Sequence, residues 1–487
     1  MINNIKPLIG HQARWAEFSK ISPAESLIIR SITFTFAFYL LGALYLVAPI
    51  LGWSLLAGLI IRWVLNWASN GTVHNSLIDS LSIGAQVNTS TGASGREKQN
   101  TRWLIIVWII GACVLELVLI IGHVDFDLGF GKIIKSSIGW AKGWALLSIF
   151  IVLGFSLNIR YQIICRAACV VGLLALLIAP VLVFAYAASL PGHLYVSPLK
   201  VLGGAGDEFF TVILYEIDPF NGAPRWRFFA PWAPAVGLVA NIYFMCAWFE
   251  KNRKWRVIGL LGNALMIVMA VSRMGMIVLL LAPIAVWGLS RLTRPWVMIV
   301  ASVFLLVLVV LFEPISANLL ALFDEVKGAR ADSTRVRAAL GNIALYRWQS
   351  EAYWFGHGVV ERGTHLVEFM PIGSHHNWYG LLFVKGMIGN LAFAIPFGLT
   401  ICVLLVKAQY QVSSRLGLGM CVIVGFFSLS ENVEALAYMT WPAWLCIGAG
   451  LRSKITDIDT NDMNLMAQFR LLSEQQVASA AMPKLTA

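Results

Sequence analysis

The chain has 487 residues, 59% of them hydrophobic and only 13% charged, with a mean hydropathy of +0.75 and a formal net charge of +11. Soluble globular domains use about twice that charge, roughly 25%, so composition excludes a soluble protein and leaves an integral membrane protein. Apolar runs recur at the roughly 17–25 residues that cross about 30 Å of hydrocarbon as a helix. Strand-type alternation is absent, so the expected fold is all-α, a polytopic membrane helix bundle.

Residues 1–29 read as a cytoplasmic N-terminal segment; the first 26 carry Glu17 and Glu25 and no apolar core, which argues against a cleavable signal peptide. The bundle is expected over 30–451, with about twelve spans near 30–48, 50–67, 103–121, 138–157, 163–187, 229–249, 256–271, 274–290, 296–313, 387–407, 413–430 and 434–451. Between them lie a Ser/Thr/Asn/Gly-rich linker at 68–102, a first outer loop at 188–228 and a large outer loop at 314–386. Lys and Arg accumulate on the cytoplasmic side of membrane proteins. This span count puts Lys6, Arg14, Arg96, Arg160, Arg166, Lys251, Arg291, Lys407, Arg415 and Arg452 on one side and both long loops on the other. The tail, 452–487, shows a short amphipathic pattern around Leu465, Met466, Phe469 and Leu472. The excess positive charge is explained by these turns and by inner-leaflet lipid, without nucleic acid. All seven cysteines fall in or beside spans, so no disulfide framework is expected in the outer loops.

The first outer loop ends in Arg225-Trp226-Arg227 followed by aromatic residues, a combination that can hold a phosphate against sugar or lipid, because guanidinium forks donate in pairs. The competing reading is snorkelling at the interface. Ser272-Arg273 forms the turn between two closely spaced spans, where an arginine reaches either an anion or lipid head groups. In the large loop, Asp332 or Ser333 is expected to cap an amphipathic helix with Val336, Leu340, Ile343 and Ala344 on its apolar side. Arg330 and Arg337 share one face of it, Arg335 points nearly opposite to Arg337, and Arg347 follows beside Trp348. His357, His365, His375 and His376 come next. Their spacing is poor for a metal site, so a histidine neutral near pH 7 is expected to act as a base on a hydroxyl. His376, next to Asn377 and Trp378, is the first choice and His375 the second; a structural role tying the loop to the bundle is the alternative.

In order along the chain stand Arg225 and Arg227, Ser272-Arg273-Met274-Gly275, Arg335 and Arg337, Gly356-His357-Gly358, His375-His376-Asn377, and Gly386-Met387-Ile388-Gly389. Over residues 200–450 this series resembles the superfamily of O-antigen ligases and of O-antigen, exopolysaccharide and capsule polymerases, membrane glycosyltransferases of the bacterial inner membrane. The resemblance implies a GT-C-type helical fold with a large helical periplasmic loop. It also implies metal-independent, inverting transfer of a glycan from undecaprenyl diphosphate to an acceptor hydroxyl on the periplasmic face, with no cofactor. Arg225, Arg227, Arg273, Arg335 and Arg337 would bind the diphosphate and His376 or His375 would be the base, with Arg347, His365, Asn377 and Glu431 in support. The partners would be the lipid-linked oligosaccharide, membrane lipid, and the flippase and chain-length regulator of the same pathway. A polymerase, adding the glycan to another lipid-linked repeat, is favoured over a ligase acting on lipid A core or protein. A transporter or flippase is the rival from another class. It is disfavoured because the spans are nearly free of charge apart from Glu116, whereas transporters place ionisable groups near the midplane.

Overall fold

Ser22 caps the first described helix: its hydroxyl accepts from the Glu25 N–H while the Glu25 carboxylate accepts from the Ser22 N–H. Two of the amide donors that a helix N-terminus leaves open are thereby satisfied. The structure, a computed structural model, describes residues 21–68, 101–202, 206–218, 222–313, 331–373 and 375–452. The expectations for residues 1–20, most of the 68–102 linker, residues 314–330 of the large loop with Arg330, and the tail beyond residue 452 lie outside these residues.

The helices are α1 (Pro23–Thr33), α2 (Thr35–Leu40), α3 (Leu44–Ala68), α4 (Arg102–Asp125), α5 (Phe130–Lys142), α6 (Trp144–Ser156) and α7 (Tyr161–Ala187), followed by α8 (Ala233–Trp248), α9 (Arg253–Met269), α10 (Arg273–Leu289) and α11 (Pro295–Val310). The large loop contributes α12 (Ala331–Glu351), and α13 (Asn377–Ala408), α14 (Val412–Phe427) and α15 (Ala437–Arg452) complete the described chain. Strand is confined, among the described residues, to two short antiparallel ribbons in the first long loop. One pairs β1 (His193–Val196) with β2 (Thr211–Ile213), and the other pairs β3 (Glu216–Ile217) with β4 (Pro224–Arg225). Five segments are long and apolar enough to cross a membrane: α3, α4, the α5–α6 unit, α7 and α13; α8, α10, α11 and α14 are shorter apolar helices. The protein is an all-α membrane bundle.

Four boundaries differ from those expected. The spans expected at 30–48 and 50–67 are instead α1 and the six-residue α2, separated at Phe34, and a single helix, α3, that already starts at Leu44. Residues 130–142 form a separate amphipathic helix, α5, that turns into α6 at Gly143, where the backbone leaves the helical region (φ −114°, ψ −99°). α12 already includes residue 331, so Asp332 and Ser333 stand inside the helix rather than capping it. α13 starts at Asn377, well before the expected span, and carries a break at Gly386. The apolar positions of α12 behave as read: Val336, Leu340 and Ala344 are buried against Phe383 and Val367, with Ile343 partly buried.

α15 is the axis of the bundle, with almost every residue buried. It meets α6 at very close range, because a Cβ on Gly154 or on Gly448 would lie 2.2 Å from a carbonyl oxygen of the other helix. Contacts between connecting segments fall at two ends. At one, Arg160 pairs with Glu25 at 2.9 Å, Arg166 pairs with Glu250 at 2.9 Å, and Arg452 donates to the carbonyls of Leu157 and Ile159. At the other, Tyr39 bonds Ile213, the Trp226 N–H meets the Met269 carbonyl, and the Val433 N–H donates to the Asn377 side chain.

The large loop is joined to α13 through the helix break. His357 N–H and Gly358 N–H donate to the carbonyls of Phe383 and Val384, at 2.9 Å each, while Met387 and Ile388 donate to Tyr353 and Trp354 at 2.9 and 3.2 Å. The loop thus supplies the partners that the interrupted helix lacks. Gly386 makes this possible at φ 61°, ψ −166°, a region essentially reserved for glycine, and a Cβ there would sit 2.4 Å from the Trp354 carbonyl. Gly386→Ala should therefore lose about 1–3 kcal/mol to backbone strain alone, with the clash in addition. Thermal unfolding followed by size-exclusion fluorescence should show a clear drop, whereas Gly398→Ala in the open part of α13 should hold or raise the midpoint. Equal midpoints for the two variants would refute this account.

Candidate functional site

A cavity of about 990 Å³ opens at the end of the bundle where the long loops gather. Its walls come from α5, the first long loop, α12, the 358–375 part of the large loop, the start of α13 and the turn at 431–435. Four of the residues singled out by sequence meet there: Arg337, His375, Asn377 and Glu431.

Glu431 follows the C-terminus of α14 and is 2% exposed. One carboxylate oxygen accepts from the Trp232 indole N–H at 2.8 Å. Burial pushes its pKa up to about 7, although the Trp232 hydrogen bond and the Arg337 charge work the other way. His375 is half-buried, with Nε2 3.4 Å from the Met370 sulfur. Burial, then the Arg337 charge, lowers its pKa to about 4, so the ring is neutral at physiological pH. Arg337 thus acts on both titratable groups. Asn377 is held at both ends, its N–H donating to the Ser428 carbonyl at 3.0 Å and its Oδ1 accepting from Val433 at 3.2 Å. Its buried Nδ2 has no hydrogen-bond partner among the described residues, which leaves a donor available at the cavity wall.

The remaining residues singled out by sequence do not line the cavity. His376 caps α13: its ring lies stacked on Tyr379 at 3.9 Å between centroids, and Nδ1 accepts from the Tyr379 N–H. His375, and not His376, lines this cavity; a β-region residue before a helix turns its side chain back onto the first turn. Arg225 lies 3.9 Å from the buried Asp218, and Arg227 donates to Glu216 at 2.6 Å and to the Pro231 carbonyl at 2.7 Å. These two guanidiniums pin the β3–β4 ribbon. Arg273 is an exposed residue in the first turn of α10. The turn that carries it is explained by packing: Ser272 caps α10 through the Gly275 N–H, and the Asn241 side chain spans the Gly237 and Gly275 carbonyls. Arg335 is exposed and separated from Arg337, in agreement with their opposed directions on the helix. His365 sits in an exposed 3₁₀ turn, edge-on to Phe369.

Arg347 and His357 build the loop instead. Arg347 donates to Glu351 at 2.9 Å and to Glu361 at 2.6 Å and lies over the Phe383 ring. Glu351 in turn bonds His357 Nε2 at 2.8 Å, while His357 Nδ1 meets the Phe383 carbonyl and its ring stacks on Phe383. The hydrogen bonds from Arg347, ahead of the one from His357, lower the Glu351 pKa to about 2 against the opposing effect of burial.

Sequence reasoning passed over the cations that the cavity gathers. Lys132, Lys135 and Lys142 lie on its wall from α5, and Lys385, buried at 2% exposure, reaches it from α13 with its amino group donating to the Leu115 carbonyl. The signal was present in FGKIIKSSIGWAKG, where lysines at spacings of three and seven share one helical face. Among the described residues, no cluster of three His, Cys, Asp or Glu side chains is arranged to hold a metal ion. No family profile matches this chain, and no curated protein is similar to it.

The loop network carries a test. Arg347→Ala should raise amide hydrogen exchange in α12 and in residues 353–358 while leaving α6 and α15 unchanged. Because the Glu351 pKa is depressed, its contribution to loop order is complete above about pH 4.3, the unperturbed carboxylate value, and fades as pH falls through about 2. That acid loosening should be absent from Arg347→Ala; uniform exchange across all helices would contradict a local role.

Proposed function

We propose that this protein is a membrane glycosyltransferase of the O-antigen polymerase and ligase type, a GT-C-like bundle of about twelve spans in the bacterial inner membrane. It transfers a glycan from undecaprenyl diphosphate to a hydroxyl of a lipid-linked repeat unit on the periplasmic face, without a metal and with inversion. The observation that carries this reading is the composition of the cavity. Cations on α5, α12 and α13 stand in one chamber with a buried carboxylate, a neutral histidine and an amide donor.

The chemistry needs those parts. A base takes the proton of the acceptor hydroxyl, the oxygen attacks the anomeric carbon, and the bond from that carbon to the diphosphate oxygen breaks with its electron pair leaving on the diphosphate. Fixed cations stabilise the departing charge. A base is most effective when its pKa lies near the working pH, which favours Glu431 at about 7 over His375 at about 4. In this reading Glu431 receives the proton, while His375 and Asn377 orient the acceptor. The buried Lys385, within electrostatic reach of Glu434 and Glu116, supports a second reading. A transporter for an anionic glycolipid would also place a charge that deep.

Purified protein supplied with lipid-linked oligosaccharide should form new glycosidic bonds, detected by mass spectrometry; transfer to lipid-linked repeats marks a polymerase and transfer to lipid A core a ligase. Translocation without bond formation would establish the transporter. For the enzyme, activity should fall as pH drops below about 7, where Glu431 takes up its proton. Glu431→Gln should lose about 10²–10⁴-fold in rate, the usual worth of a general base, with His376→Ala near wild type. An acid limb near pH 4 that vanishes in His375→Ala would transfer the role of base to His375.

A further inference from the structure

α5 exposes two adjoining stripes. Phe130, Ile134 and Ile138 are 75%, 47% and 51% exposed, one above the other at four-residue spacing. Beside them run Lys132, Lys135 and Lys142, which face the cavity. The helix has no buried residue of its own and is held by its neighbours. Ser136 bonds His123 Nε2 at 2.9 Å, the Trp140 indole donates to the Ala112 carbonyl at 3.0 Å, and Trp53 donates to the Ala141 carbonyl at 3.0 Å. An apolar stripe on an anchored helix beside a membrane bundle is suited to acyl chains, and the lysine stripe beside it is suited to an anion.

The other basic residues near this end are differently committed. Arg227 is bonded to Glu216 and Arg347 to Glu351 and Glu361, so their charges are compensated within the fold. Among the described residues, Lys132 and Lys135 have no hydrogen-bond or ion-pair partner. They share the cavity with Arg337, and its cations, Lys132, Lys135, Lys142, Arg337 and Lys385, outnumber its carboxylates, Glu208, Glu431 and Glu434.

We propose that α5 is the docking element for the lipid diphosphate: Lys132 and Lys135, with Arg337 across the cavity, hold the phosphates, while Phe130, Ile134 and Ile138 lie along the polyprenyl chain. This assignment rests on the glycosyltransferase reading for the identity of the ligand, and it replaces Arg225 and Arg227 as the anion-binding pair. The ligand class follows from the juxtaposition itself, since an amphiphile with a doubly charged head and a long apolar tail satisfies both stripes at once.

The test uses the full-length protein in nanodiscs of zwitterionic lipid, with undecaprenyl diphosphate, uncharged undecaprenol and phosphatidylglycerol as separate probes. Wild type should prefer the diphosphate to both others. Lys132→Ala with Lys135→Ala should weaken diphosphate binding by at least about tenfold, the scale of a lost charge-assisted hydrogen bond, whereas Lys132→Arg with Lys135→Arg should retain it. Both positions are exposed, so an unchanged thermal midpoint should accompany each variant. If the double alanine variant binds the diphosphate as wild type does, the assignment to α5 falls and the enzyme reading stands. An equal loss toward phosphatidylglycerol would mark the lysines as ordinary head-group contacts and overturn the proposal in the same way. If wild type does not distinguish the diphosphate from undecaprenol, the glycosyltransferase reading itself fails.

Discussion

The interrupted backbone of α13 is the constraint on which the cavity depends. A helix broken inside a folded protein leaves carbonyls and amides that must find other partners. Here the segment 353–358 satisfies four of them, two in each direction, across the turn at Gly386. Gly356 and Gly358, both at positive φ, let that segment pass close enough: a Cβ at Gly358 would lie 2.7 Å from the His123 ring, and one at Gly356 would lie 2.4 Å from the Lys385 amide nitrogen. The same junction fixes three walls of the cavity relative to one another. It holds the large loop against α13, it brings α4 to the loop at Gly122, and it leaves Lys385 on the inner side of the break.

Charge is disposed differently at the two ends of the bundle. At the end opposite the cavity, four arginines are tied to protein groups: Arg160 to Glu25, Arg166 to Glu250, Arg415 to the Ala408 carbonyl and Arg452 to the carbonyls before α7. Such pairs close the helix ends and hold neighbouring connections together, although each partly exposed pair contributes little on its own. At the cavity end Arg225, Arg227 and Arg347 make comparable structural pairs, whereas Lys132 and Lys135 have no hydrogen-bond or ion-pair partner among the described residues. A flexible ammonium on a four-carbon stem suits the proposed role, because it can follow a phosphate that arrives with a mobile lipid.

Much of the architecture was legible because hydropathy in a membrane chain is a direct constraint. Lipid dictates run length, and the runs from 163 to 187 and from 413 to 430 fall on α7 and α14 within a few residues. The helix in the large loop was legible for the same reason as any amphipathic helix, since Val336, Leu340 and Ala344 had to face something apolar. What escaped was decided by tertiary partners. Nothing in Arg225-Trp226-Arg227 announces that Glu216 on the facing strand and Asp218 just beyond it stand beside the two guanidiniums. His375 and His376 could not be separated by sequence because the cap geometry that turns one ring onto Tyr379 appears only once α13 begins at Asn377. The α5 lysines were overlooked because the span expected at 138–157 left Lys132 and Lys135 in the connection before it and took in Lys142.

The position of those lysines bears on the functional reading through the topology rule. In the proposed orientation α5 lies on the outer side, where positive charge opposes correct insertion, and three lysines within one short helix are then a cost rather than a convenience. Closing Lys132 and Lys135 with nearby carboxylates would remove that cost locally, as Arg227 and Arg347 show the chain can do elsewhere. Instead Glu431 stands across the cavity under a Trp232 indole, and the charges on α5 are left facing the chamber. An external cationic stripe of this kind is physically coherent when a soluble or lipid-borne anion regularly neutralises it. A diphosphate delivered on a polyprenyl chain would do so, with the exposed apolar stripe of the same helix available to the chain.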